Sequence, residues 1–148
     1  MLSRRWMISS AVAVIVTAMP MTVGSARVGA ATVSTSAPIV ITIADGSITL
    51  SASSTVAGVV RFTLTNVGAV LHEIDVVRAP QGIDKLPVTP RGNFNEHTNL
   101  ATVVRESVKI QPKATRSFQV RLTKGTYALL DNLPGHFAKH ELAALTVT

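Results

Sequence analysis

The sequence predicts an all-β protein, an antiparallel β-sandwich of about seven short strands. Apolar and polar residues alternate with a period of two, most clearly in Val60-Arg61-Phe62-Thr63-Leu64-Thr65 and in His72-Glu73-Ile74-Asp75-Val76. Turn residues punctuate these runs, with Asp45-Gly46 and Asn66-Val67-Gly68 the clearest cases. After the first thirty residues the apolar period is two, not the 3.6 of an amphipathic helix.

In chain order, residues 1–30 read as a secretory signal peptide. Arg4 and Arg5 supply a positive start, and an apolar run of thirteen residues extends from Met7 to Met19. Small residues offer cleavage after Ala26, Ala30 or Ala31. Thirteen residues at 1.5 Å per residue fall well short of a bilayer core of about 30 Å, which argues against a span. Ser3-Arg4-Arg5-Trp6-Met7-Ile8 also resembles a twin-arginine export signal, so either general or twin-arginine export to the periplasm or beyond is expected. Residues 31–38 form a small, polar, flexible leader.

The domain proper spans residues 39–148. Strands are expected at 39–44, 47–51, 60–65, 72–76, 117–122, 126–130 and 142–147. Between Arg78 and Glu106 the alternation breaks. Pro80, Gly82, Pro87, Pro90 and Gly92 make this a long irregular insert, with a helical turn expected at 94–100.

Composition narrows the function. Without the leader, eleven Lys and Arg stand against eight Asp and Glu, and no basic run or basic–aromatic interleaving remains. Nucleic acid is therefore not an expected partner. The chain has no cysteine. That excludes disulfides, zinc–thiolate sites, iron–sulfur clusters and a thiolate–copper centre. About 118 residues suffice to build a core without such staples.

Four histidines fall in the domain: His72, His97, His136 and His140. His97 lies in the insert and reads as a surface residue. His72 opens a strand in phase with Ile74 and Val76, which puts a polar ring on an apolar face, where it needs a partner. His136 and His140 follow Gly135 in the loop between the last two strands.

Asn66, then His72-Glu73-Ile74, then Gly125-Thr126-Tyr127, then Leu133-Pro134-Gly135-His136 together resemble the cupredoxin family, the blue-copper proteins of plastocyanin and azurin type. The likeness extends over about residues 39–148. Members of the similar subgroup carry Asn-x-Gly, His-Glu, a long insert, and then Gly-x-Tyr-x-Leu-x-Cys-Asn-Leu-Pro-Gly-His-x-x-x-Gly-Met. The resemblance implies a Greek-key sandwich of seven to eight strands. It also implies that His72 and His136 stand at the two imidazole-ligand positions. The thiolate position falls on Asp131 and the axial methionine position on Glu141, with His140 in place of the preceding glycine.

Replacing both sulfurs with carboxylates changes the chemistry. Thiolate and thioether favour Cu(I), whereas imidazole and carboxylate suit Cu(II), Zn²⁺ or non-haem Fe(II). His72, Asp131, His136, Glu141 and His140 are therefore the candidate ligands of a colourless N/O site. Copper is the expected ion, with zinc or no metal the alternatives. The expected function is metal binding, copper handling or slow redox by an exported monomer, and not fast blue-copper electron transfer. The competing reading is a metal-free interaction or structural domain of the cell envelope, meeting an envelope partner through the insert. Asp131-Asn132 is good turn chemistry, and Glu141 can be a solvated loop residue, so the residues alone leave both readings open. No nucleophile–base–orienter set stands out, so an enzyme is not expected.

Overall fold

The computed structural model describes residues 37–148, so the signal peptide and residues 31–36 of the leader lie outside the described residues. Nine strands are found among them. They are β1 (Ile39–Ala44), β2 (Ser47–Leu50), β3 (Ser54–Thr55), β4 (Gly58–Asn66), β5 (His72–Arg78), β6 (Thr102–Ile110), β7 (Thr115–Leu122), β8 (Gly125–Leu130) and β9 (Leu142–Val147). They form two sheets, one ordered β2-β1-β4-β7 and the other β3-β9-β8-β5-β6.

The alternation does what its period requires. Ile39, Ile41 and Ile43 of β1, and Val60, Phe62 and Leu64 of β4, turn inward. They meet Ile74 and Val76 of β5, Tyr127 and Leu129 of β8, and Leu145 and Val147 of β9 in one core between the sheets. Phe62 stacks on its cross-strand partner Phe118, with ring centroids 5.1 Å apart. Each fully buried side chain of this size contributes about 1.5–3 kcal/mol by leaving water.

The sheets are mixed rather than purely antiparallel. β1 runs parallel to β4, and β3 runs parallel to β9. Periodicity carries no information about strand direction, so the sequence could not show this. Parallel neighbours need crossover connections, and those give the sandwich its Greek-key character.

β6 emerges from what reads as insert. Its pairing with β5 slips twice, between Ile74 and Val76 and between Val76 and Val77. Each slip adds a residue to β6 and flips the side-chain phase. Val108 and Ile110 therefore join the central core while Val103 packs on the opposite face, and no single period of two survives.

The rest of the insert folds over the outer face of the second sheet. Leu86 and Phe94 pack with Val77, Ala79, Ala128, Leu130 and Phe137 into a second core. β5 is consequently buried on both faces over residues 72–77. The helical turn expected at 94–100 is absent. Short 3₁₀ turns form instead at Ile83–Lys85 and Phe137–Lys139. No helix among the described residues is long and apolar enough to cross a membrane.

Candidate metal centre

His72, Asp131, His136 and Glu141 meet at one end of the sandwich. Each offers one donor atom, and the four atoms lie within 4.8 Å of one another. His72 is the first residue of β5, and its alternation with Ile74 turns the ring inward. Asp131 directly follows β8. His136 and Glu141 come from the loop leading to β9.

That loop is shaped locally. Leu133-Pro134-Gly135-His136 forms a turn with Pro second and Gly third, closed by His136 N–H to Leu133 O at 3.0 Å. Gly135 has φ +82°, the left-handed value a type II turn needs at its third position. At the loop's base, Asp131 N–H donates to Glu141 O at 2.9 Å, which brings the two carboxylate residues together.

The imidazoles and carboxylates interlock. Asp131 Oδ2 lies within hydrogen-bond distance of His72 Nδ1, at 2.7 Å, and of His136 Nδ1, at 3.0 Å. Glu141 Oε2 lies 3.0 Å from His136 Nδ1 and 3.3 Å from His72 Nδ1. The second oxygens are also fixed: Asp131 Oδ1 by Leu133 N–H at 2.9 Å, and Glu141 Oε1 by Gly46 N–H at 3.0 Å. The two rings meet edge to face, 5.2 Å between centroids. The His72, Asp131 and Glu141 side chains are 0%, 0% and 2% exposed, so His136, at 17%, is the group of the four that reaches solvent.

The expected ligand His140 is not brought in. It caps the 3₁₀ turn in a left-handed conformation, φ +66°, and is exposed. It borders an apolar cavity of about 420 Å³ between Ile83, Leu86, Val88, Phe137 and Leu142. His97 is exposed in the insert, as expected.

One participant is a residue the sequence offers only as a turn former. Asp45 Oδ1 accepts from His72 Nε2 at 3.2 Å. Its carboxylate also accepts the Ala69 N–H at 3.0 and 3.1 Å. Those two partners, Ala69 first and then His72, hold the Asp45 carboxyl below its ordinary value.

The insert grips the site from outside. The Asn132 side chain accepts the Phe94 N–H at 2.8 Å and donates to Glu96 at 2.5 Å, while Asn93 donates to the Asn132 carbonyl. Gly92 O accepts from Ala138 N–H at 3.0 Å. A Cβ at Gly92 would stand 2.8 Å from Gly135 Cα, so this close backbone approach needs glycine.

The donor set fits a divalent ion. A four-coordinate N/O ion with bonds of about 2.0–2.2 Å has donor–donor edges of about 3.3–3.6 Å. The four imidazole–carboxylate contacts of 2.7–3.3 Å would open by less than about 1 Å, and the remaining separations, within 4.8 Å, would close to admit one.

No family model matches the sequence, and no curated relative matches it. Solved structures do. Over 74% of this chain and 94% of the other, it is similar to dithionite-reduced auracyanin from the photosynthetic bacterium Roseiflexus castenholzii, at 17% identity and a TM-score of 0.52. It is similar to reduced rusticyanin at 20% identity and 0.54, covering 74% of this chain and 77% of that one. Rusticyanin from Thiobacillus ferrooxidans gives 17% and 0.53, covering 74% and 75%. What these likenesses show is the architecture: the chain has the Greek-key β-sandwich fold of the cupredoxins.

Proposed function

We propose that this chain is an exported, monomeric metal-binding module that holds one divalent ion, copper(II) first and zinc as the competitor, on His72, Asp131, His136 and Glu141. The carrying observation is the convergence of two imidazoles and two buried carboxylates on one point. Two carboxylates and two neutral imidazoles carry a charge of −2, which a divalent ion cancels. A monovalent ion leaves a net buried charge, which is costly. The charge balance and the hard oxygen donors thus both favour Cu(II) or Zn²⁺ over Cu(I). Such a site suits sequestration, delivery or slow redox.

Burial supports binding over catalysis, since only His136 offers an edge to a molecule from outside. All four donors come from one chain, so a single copy suffices. The leader supports export to the periplasm or beyond.

The test is titration of the purified mature protein with Cu²⁺ and with Zn²⁺, followed by calorimetry and elemental analysis. The expected result is one equivalent bound at neutral pH, without intense blue absorption. Binding releases protons and weakens in acid, because protons compete with the ion for the donors. Calorimetry showing no uptake of either ion at neutral pH overturns the proposal.

A second reading rests on a specific observation. The 2.7 Å contact between His72 and Asp131 is a direct hydrogen bond that closes the quartet without an ion. On that reading the domain is a metal-free interaction module of the envelope, and His136→Ala leaves its cellular function intact.

A further inference from the structure

We infer that Asp45 is the positioning residue that makes His72 a metal donor through Nδ1. The inference rests on the reading of the quartet as a metal site and extends it by one residue that no ligand motif contains.

An imidazole has two nitrogens, and in the neutral ring one carries the proton. An acceptor at one nitrogen selects the tautomer and leaves the other nitrogen's lone pair free. Asp45 Oδ1 lies 3.2 Å from Nε2, while Asp131 and Glu141 face Nδ1 from the other side. With the Nε2 proton given to Asp45, the Nδ1 lone pair points into the carboxylate pair, which is the form a bound cation uses. A carboxylate behind a ligating histidine also raises the basicity of the ring.

The carboxylate is seated rather than adrift. It accepts main-chain N–H groups from Ala69 and, at 3.4 Å, from Val70. Room for it depends on Gly68, where an added Cβ would come within 2.1 Å of Asp45 Oδ1. Asn66 holds that loop in shape: its side chain accepts the Gly68 N–H at 2.8 Å and donates to Val70 O at 2.8 Å and Ile110 O at 3.3 Å. This gives Asn66 and Gly68 a reason to sit two residues apart just before His72.

The neighbouring residue acts on a second ligand. Gly46 N–H donates to Glu141 Oε1 at 3.0 Å. The Asp45-Gly46 turn therefore braces an imidazole and a carboxylate of the quartet at once, from 27 and 95 residues away in sequence.

The experiment compares wild type, Asp45→Ala and Asp45→Asn. Cu²⁺ affinity is measured by competition with a chelator. Pulsed EPR of the Cu²⁺ form reads the non-coordinating imidazole nitrogen, and ¹⁵N NMR of the Zn²⁺ form assigns the metal-bound nitrogen of His72. The expected result is about a 10- to 100-fold loss of Cu²⁺ affinity in Asp45→Ala. The remote-nitrogen signal of His72 should shift with it. Asp45→Asn, which keeps an acceptor oxygen, should recover most of the affinity. A brace that merely holds the loop would change stability without moving the remote-nitrogen signal. Unchanged affinity and signal in Asp45→Ala, or ¹⁵N shifts placing the ion on Nε2, overturn the inference while leaving the metal site standing. Failure of the wild type to bind either ion overturns the metal reading, and this inference with it.

Discussion

The two faces of the second sheet are packed in different ways. Its inner face meets the other sheet through residues in strict alternation: Ile74 and Val76, Tyr127 and Leu129, Leu145 and Val147. Its outer face lies under the insert, where Leu86, Phe94 and Phe137 arrive from irregular backbone. The inner core reaches the quartet at one strand end, where His72 continues the phase of Ile74 and pairs with Ile110. The outer core is tied to the loop that carries the other three members, because Phe94 and Asn132 share a hydrogen bond one residue from Asp131. The inner layer meets the site through the end of one regular strand, and the outer layer through the irregular loop that shapes it.

The largest expected effect tests the inner layer. Phe62→Ala removes a fully buried ring stacked on Phe118 and should cost about 3–5 kcal/mol in urea unfolding. Metal affinity of the folded fraction should stay at the wild-type value. A large loss of affinity there would erase the distinction between the layers.

A smaller loss of stability with a larger loss of function is expected outside. Asn132→Ala strips the partner from the buried Phe94 N–H, at about 1–3 kcal/mol. It also frees the loop that carries Asp131 and His136, so Cu²⁺ affinity should fall. Wild-type affinity in a destabilised Asn132→Ala would show that the insert only covers the sheet.

The smallest effect concerns acid. The folded protein holds the Asp45 carboxyl below its ordinary value of 3.8, so its stabilising contribution is complete above that value. It is lost as pH falls through the lowered folded value. The stability gap between metal-free wild type and Asp45→Asn should be constant near neutrality and close in strong acid. A gap that widens as pH falls would contradict the hydrogen bonds drawn to Asp45.

The same contrast explains how much could be read from the chain. β4 and β5 were legible because period two and a flat packed face are one physical fact. The four converging residues were legible because their spacing resembles the cupredoxin ligand motif although the residue types differ. β6 was hidden by its two bulges, which break the phase. His140, expected as an additional donor beside Glu141, is turned outward by its left-handed conformation after the 3₁₀ turn, while Glu141 turns in. Asp45 was hidden because Asp-Gly already has a sufficient local explanation as a turn, and its His72 contact spans 27 residues.

The contacts closing the quartet join residues 59 and 69 positions apart, and Glu141 sits just ahead of the last strand. The quartet needs these long-range contacts, so it assembles late in folding, as long-range pairings do. A passenger threaded through a membrane unfolded would meet its metal only on the far side. One carried across already folded would bring its metal from the cytoplasm. On the proposed reading of an exported metal site, the compartment in which β9 docks is therefore the one whose metal pool fills it.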